Sequence, residues 1–479
     1  MGSVLRRPVR LLLIAAAAVA AATAGTAPAS AAKPSFEARG GSELQPEFRW
    51  RVRDYAARCD SGLRLRVAGA SGWRTQLPGA APRPGSFTHP TPLDPGEGTT
   101  VAFERRDGRA SARFHVRCLP ADFPEYRFRR IGPGGANLFM VQIPNRYAAI
   151  FDGDGVPIWW MQADGTALDA KLLPDGTVAW DSVSTVSGSG TGAYDVLSLS
   201  GRPLRSVGRE DTTDVHDLQV LPSGNYVIAR QTYRSGVDTT AYGGSASALL
   251  LDFDIEEVTP DGDVVRTWST ADHIGLDETG RWWEAITGGL GYDITHWNAV
   301  EVDGRYMYLS FRHLDAIYKV DRRTGEIVWK LGGTETPESL EVRGDPREYP
   351  IGGQHDVRVQ PNGTVTIHNN RTNLADPIPR AERFRIDEEE GTAKLVESIT
   401  DPKVPTAQCC GSARRLGDGT WLVAWGRNEI VGAYGPDGDP LYRFRVPGSF
   451  SYRANTVPED IGAGELRRAM DRMAARAAG

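Results

Sequence analysis

Leu173-Pro174-Asp175-Gly176-Thr177-Val178, Leu221-Pro222-Ser223-Gly224-Asn225-Tyr226, Val302-Asp303-Gly304-Arg305-Tyr306, Gln360-Pro361-Asn362-Gly363-Thr364-Val365 and Leu416-Gly417-Asp418-Gly419-Thr420-Trp421 are five versions of one unit. Each reads as a strand, a tight turn ending in glycine, and a returning strand. Glycine suits the turn because a short hairpin needs positive φ there. A second hairpin alternates with the first, its turns holding Gly155, Gly201, Gly262, Gly325, Gly391 and Gly438. Aromatic residues often follow, as at Trp159, Trp268, Trp329 and Tyr442, and fill a half-buried pleated surface. Two hairpins make one four-stranded sheet. The second set of glycines recurs at intervals of 46, 61, 63, 66 and 47 residues, the period of propeller blades carrying loop insertions. Counting them predicts an all-β chain with a six-bladed β-propeller over residues 125–455, its first inner hairpin beginning at Leu138-Phe139-Met140-Val141.

Upstream of the repeat, residues 36–122 carry short alternating runs such as Leu63-Arg64-Leu65-Arg66-Val67 and Ala112-Arg113-Phe114-His115-Val116, separated by Pro/Gly loops. They read as a small N-terminal β-sandwich, bracketed by Cys59 and Cys118, the pair expected to staple it. Four cysteines allow three pairings, and Cys409 and Cys410 are adjacent, either two free thiols or a strained vicinal disulfide. Residues 1–32 have the pattern of a signal peptide: Arg6, Arg7 and Arg10, an apolar run from Leu11 to Ala22, and small residues at Ala29-Ser30-Ala31. Export, with no membrane span after cleavage, is the expectation. The tail, residues 456–479, has helical composition and reads as a peripheral helix or a disordered end.

The 479 residues include 55 basic and 61 acidic side chains, a net charge of -6 that argues against a nucleic-acid partner. Only eight histidines are present, so their placement is informative. Eight residues before Gly224, Gly304 and Gly363 lie His216, His296 and His355; the same register gives Leu168 and Gly411 in the other hairpins. Equivalent positions of different blades ring a central channel, so the three imidazoles are expected to converge there. Eight residues after Gly304, Gly363 and Gly419 lie Arg312, Arg371 and Arg427, which would return to the same end. Imidazole and guanidinium groups together suit a tetrahedral oxyanion. Asp217, Asn298 and Asp356 follow the histidines and are candidates for fixing their tautomers. His313, next to Arg312, should face away if the strand alternates, and His89, His115, His273 and His368 read as structural. Three histidines also suit zinc, but arginines nearby oppose a bare dication, so no metal is assigned.

The strings Asp214-Val215-His216-Asp217, Thr295-His296-Trp297-Asn298, Ser310-Phe311-Arg312-His313-Leu314-Asp315 and Gln354-His355-Asp356 resemble those of the bacterial arylsulfate sulfotransferases, over about residues 125–450. The resemblance is to a divergent branch of that family. It implies an exported six-bladed propeller with a small N-terminal β-domain. It also implies transfer of a sulfuryl group from an aryl sulfate to a phenol, without the nucleotide sulfate donor and without a cofactor. On that reading His355 is the nucleophile, transiently sulfated. His296, Arg312 and His216 clamp the sulfuryl oxygens, with Asn298 beside them binding substrate; Arg371 and Arg427, placed by the register and not by the resemblance, are the further substrate-binding candidates. Trp282, Trp283 and Trp297 are candidates for an aryl pocket. A non-catalytic binding propeller and a metal-dependent hydrolase or lyase are the alternatives, and homodimerisation through the N-terminal region is open.

Overall fold

The structure, a computed structural model, describes residues 32–40, 43–59, 62–144, 146–183, 190–289 and 291–477. The expected signal segment lies almost entirely outside them. The chain is all-β, 46% strand and 8% helix. From Arg127 onward its strands form six sheets, antiparallel between sequence neighbours, with the short strands Tyr292–Asp293 and Glu341–Arg343 added in parallel to two of them. One of them runs Trp297–Asp303, Tyr306–Phe311, Ala316–Asp321 and Ile327–Gly332 in order. Its middle strands are buried almost throughout, because each sheet is packed against a neighbour on both faces. The inner-hairpin turns hold Gly176, Gly224, Gly304, Gly363 and Gly419 at φ between 56° and 87°. That is the left-handed region for which the sequence chose glycine.

The repeat is stitched shut at both ends of the chain. Arg127–Arg130 pairs with Pro440–Arg445 of the last sheet, and Ala454–Thr456 pairs with Leu138–Ile143 of the first. Neither short strand was visible in the sequence, since neither carries apolar alternation. Their pairing covers the sheet edges that a broken ring would leave open.

Upstream strands form a three-stranded and a five-stranded sheet that share one apolar cluster, with Phe36, Leu65 and Val67 from one and Tyr55, Phe103 and Phe114 from the other. Cys59 and Cys118 are joined there by a disulfide, with Cα atoms 5.7 Å apart. The tail is ordered as the helix Ala463–Ala477. Leu466, Ala469 and Met470 bury against the first sheet of the propeller. On its other side Arg467 pairs with Asp54 at 2.9 Å and Asp471 with Arg117 at 2.8 Å. The helix is therefore a strut between the upstream sheets and the ring. Among the described residues no helix is long and apolar enough to cross a membrane.

Three inner strands begin with a register break, between Leu168 and Lys171, Trp297 and Ala299, and His355 and Arg358. Asp169, His296 and Asp356 at these breaks have φ of 51°, 49° and 62°. A non-glycine residue held there costs on the order of 1 kcal/mol, so the surrounding contacts must enforce it. The break sends successive side chains to different partners, and the site depends on that.

Candidate active site

His216, His296 and His355 converge as their shared register predicts. The rings of His216 and His296 lie 5.1 Å apart, edge to face, and the charges of His216, His296 and Arg312 all act on His355. Each Nδ1–H is committed to an acceptor. His216 donates to Asp214 Oδ1 at 2.6 Å and His296 to Asp293 Oδ2 at 2.5 Å. His355 donates to Asn370 Oδ1 at 2.9 Å, with the Gly353 carbonyl at 3.1 Å. That leaves Nε2 as the working nitrogen of each ring. The Nε2 lone pair of His355 accepts the Cys410 backbone N–H at 3.1 Å.

The three rings differ in charge. Burial, with Arg312, His296 and His216 adding to it, holds His355 well below the ordinary imidazole value, so it is neutral near pH 7. Burial likewise pulls His296 down despite Asp293. Burial opposes protonation of His216 too, but the Asp214 carboxylate outweighs it and the value is raised. A neutral ring thus sits among a protonatable one and a permanent cation.

Arg312 completes the group. Its guanidinium donates from Nη1 to His313 Nε2 at 2.7 Å and from Nη2 to the Gln408 carbonyl at 2.9 Å, and lies 4.4 Å over the Trp282 ring. Its buried Nε–H has no partner among the described residues. His313 was expected to face away, and the structure corrects this. Arg312–Leu314 is a turn of 3-10 helix, not a strand, so alternation does not apply. His313 stacks 4.6 Å from His296 and 4.6 Å from Trp282, and burial pushes it down to about 3.

Other expected residues scatter. Asn298 is fully buried and donates to the carbonyl of Gln354, the residue before His355, at 2.7 Å. Arg371 turns away: its guanidinium donates to the Asp376 and Tyr349 carbonyls at 2.6 and 2.8 Å. Its φ of 54° reverses the chain just where the strand was expected to continue. Arg427 is exposed, its guanidinium 5.9 Å from the Phe450 ring and its backbone N–H on the Cys409 carbonyl. Of the tryptophans only Trp282 belongs to the site. Trp297 is buried in the blade core, and Trp283 stacks on Tyr242 in a separate cluster.

A family model described as Arylsulfotransferase (ASST) matches residues 133–434. The chain belongs to that family. No curated protein is similar to it. Among solved structures it is similar to a protein of unknown function from Bacteroides caccae, 10% identical over 67% of this chain and 98% of the other, with a TM-score of 0.42. It is also similar to the β-propeller domain of Myceliophteria thermophila Cps50 (Swd1), 10% identical over 62% and 88%, TM-score 0.32. A streptogramin B lyase matches at 9% identity over 72% and 86%, TM-score 0.34.

The family match ends before Arg453, a buried residue whose charge reaches His216. Arg453 is 2% exposed and pairs with Asp169 at 2.9 Å, Asp217 at 3.1 Å and Asp356 at 3.4 Å. Lys171 pairs with Asp169 and, at 2.6 Å, with Asp217, while Arg358 and Arg414 reach Asp356 at 3.1 and 2.8 Å. Asp217 and Asp356 therefore do not orient the imidazoles as expected. They belong to this ion-pair shell, and the orienting groups are Asp214, Asp293 and Asn370. The first two stand two and three residues before their histidines, a spacing that was legible. Asn370 comes from the strand pair across the hairpin and was not.

Asp293, His296 and His313 have ligand atoms within 4.8 Å of one another, a spacing that fits a metal ion. The donors are otherwise engaged, however. Asp293 accepts both the backbone and ring N–H of His296, and Arg312 sits on His313 Nε2. A dication there would have to displace a guanidinium.

Proposed function

We propose that this arylsulfotransferase moves a sulfuryl group from an aryl sulfate to a phenol in two steps through His355. The observation that carries the reading is one neutral, oriented imidazole facing a protonatable imidazole and a guanidinium with an unspent N–H. His355 Nε2 gives up the Cys410 N–H and attacks the sulfur; the S–O bond breaks and a phenolate leaves, with the sulfuryl group on nitrogen. Arg312, through its unspent Nε–H, meets the sulfuryl oxygens, where a preplaced donor stabilises developing charge, while the neutral His296, its one N–H spent on Asp293, walls the site beside it. His216, kept protonated by Asp214, gives its proton to the departing phenolate and takes one back from the incoming phenol. Trp282, already stacked on Arg312, forms a wall for the aryl ring. The Cys59–Cys118 disulfide accords with export to an oxidising compartment.

Intact-mass measurement after exposure to a nitrophenyl sulfate alone tests this. The expected result is one labile sulfuryl adduct per chain, mapped to His355 and discharged by added phenol. Nitrophenol release without any protein adduct, or an unchanged adduct in His355→Asn, would overturn it.

A further inference from the structure

The thiols of Cys409 and Cys410 take no part in the mechanism above, yet they sit directly against its residues. Both are free thiols, Cys409 half-buried and Cys410 buried. They pack with Leu168, Val215, Phe450 and Tyr452 in one small cluster. The peptide joining them is held at both ends: its carbonyl accepts the Arg427 N–H at 3.1 Å, and its N–H donates to His355 Nε2 at 3.1 Å. Cys410 has φ of 67°, and its own carbonyl accepts from Asn370 Nδ2 at 3.0 Å. Gln408, one residue earlier, accepts from Arg312. So this short segment touches the candidate nucleophile, the group that orients it and the principal cation.

We propose that Cys409 and Cys410 are a thiol–disulfide exchange site, in which Cys409 attacks the disulfide of a small thiol compound and Cys410 resolves the product. In the first step Cys409 Sγ, as thiolate, bonds to one sulfur of the small disulfide; the S–S bond breaks and one thiolate leaves. In the second, Cys410 Sγ bonds to Cys409 Sγ, the mixed disulfide breaks, and the Cys410 proton goes to the second departing thiolate. Two protein thiols become one disulfide and the small disulfide becomes two thiols, which balances atoms and electrons. The division of labour follows from placement. Cys409 is the accessible one, and Arg312, Arg427 and His216 stand around it. Its thiol is lowered to about 7, chiefly by the neighbouring Cys410 thiol and then by those cations, while Cys410 is raised by the Cys409 thiol and by burial.

The ring closed by this disulfide contains the peptide whose N–H occupies His355 Nε2. Closing it constrains that peptide, so the oxidation state of the pair is written onto the nitrogen proposed to accept the sulfuryl group. The thiol chemistry itself does not rest on that function.

Oxidised glutathione and the full-length reduced protein provide the test. The expected result is a Cys409–Cys410 disulfide with release of two glutathiones per chain, leaving Cys59–Cys118 as it was. Cys410→Ser should stop at one glutathione on Cys409, and Cys409→Ser should react at least tenfold more slowly. The Nε2 nitrogen resonance of His355 should move between the reduced and oxidised wild-type forms. Glutathione carried on Cys410 in preference to Cys409, or two thiols that persist in the folded wild-type protein under a large excess of oxidised glutathione, would overturn the exchange site. A His355 resonance that stays put while the disulfide forms would overturn its link to the nucleophile. Because thiols and resonance are read without sulfuryl transfer, these outcomes are separable from failure of the sulfotransferase reading.

Discussion

Two shells of polar side chains fill the channel of this propeller, and they are built from adjacent residues with opposite outcomes. His216, His296 and His355 leave their Nε2 atoms open or lightly capped, beside an Arg312 Nε–H without a partner among the described residues. Their neighbours Asp217 and Asp356, with Asp169, are locked to Arg453, Arg358, Arg414 and Lys171. Unspent hydrogen-bonding capacity beside neutral or protonatable rings is what a reacting anion needs. Carboxylates fully paired with cations cannot offer it, but they hold six sheets to one axis. A single strand start supplies a residue to each shell because the backbone break there separates the directions of consecutive side chains.

Removing a member of each shell should therefore break different things. His355→Asn keeps the Nδ1-side hydrogen bond and removes the nitrogen proposed to accept the sulfuryl group, so sulfuryl transfer should fall by about 10⁴-fold or more with unfolding unchanged, as steady-state rates and thermal melts would show. Arg453→Met should do the reverse. It leaves three buried carboxylates short of a cation, a loss of roughly 3–5 kcal/mol in chemical denaturation. Equal stability of Arg453→Met and the parent would mean that the carboxylates are satisfied without it. Arg312→Leu stands between the two shells in size of effect. The loss of its preplaced donors should lower the rate of adduct formation by about 10²–10³-fold, measured in a single turnover with nitrophenyl sulfate.

The first shell was more legible in the sequence than the second. A shared offset from turn glycines found the three histidines and Arg312, because the propeller repeat converts equal spacing into equal height. Asp217 and Asp356 were seen but misassigned, since nothing in sequence distance shows that positive φ at Asp356 and a register break turn a side chain from its neighbour. Arg453 was invisible: it lies 284 residues from Asp169 and immediately precedes a three-residue strand with no turn signal. Arg371 was misread for a related reason: its strand ends at Asn369 and Arg371 itself is left-handed, where counting eight residues from the turn glycine assumes that the strand continues. Local periodicity is readable, and contacts made by chain closure are not.

The smallest effect tests whether the two shells are electrically separate. Asp214 raises His216 against the opposing pull of burial and of the Arg453 charge. His216 is therefore protonated up to a pH above the ordinary imidazole value of 6.5, and as general acid it would lose its proton as pH rises through that raised value. Asp214→Asn takes away the carboxylate and leaves burial and Arg453 opposed only by the weaker pull of Asp293, so the value is expected to fall below 6.5. The alkaline limb of the rate of adduct formation should then move to lower pH, with about tenfold loss near pH 7 and little change in acid. The same raised value also stabilises the fold: the contribution is full below 6.5, disappears as pH rises through the folded value, and is absent in Asp214→Asn. If Arg453 reaches His216 through its charge, Asp214→Asn combined with Arg453→Met should recover part of the lost alkaline limb wherever the double variant remains folded. A limb that stays where Asp214→Asn alone puts it would mean that the carboxylates of the ion-pair shell already cancel the Arg453 charge.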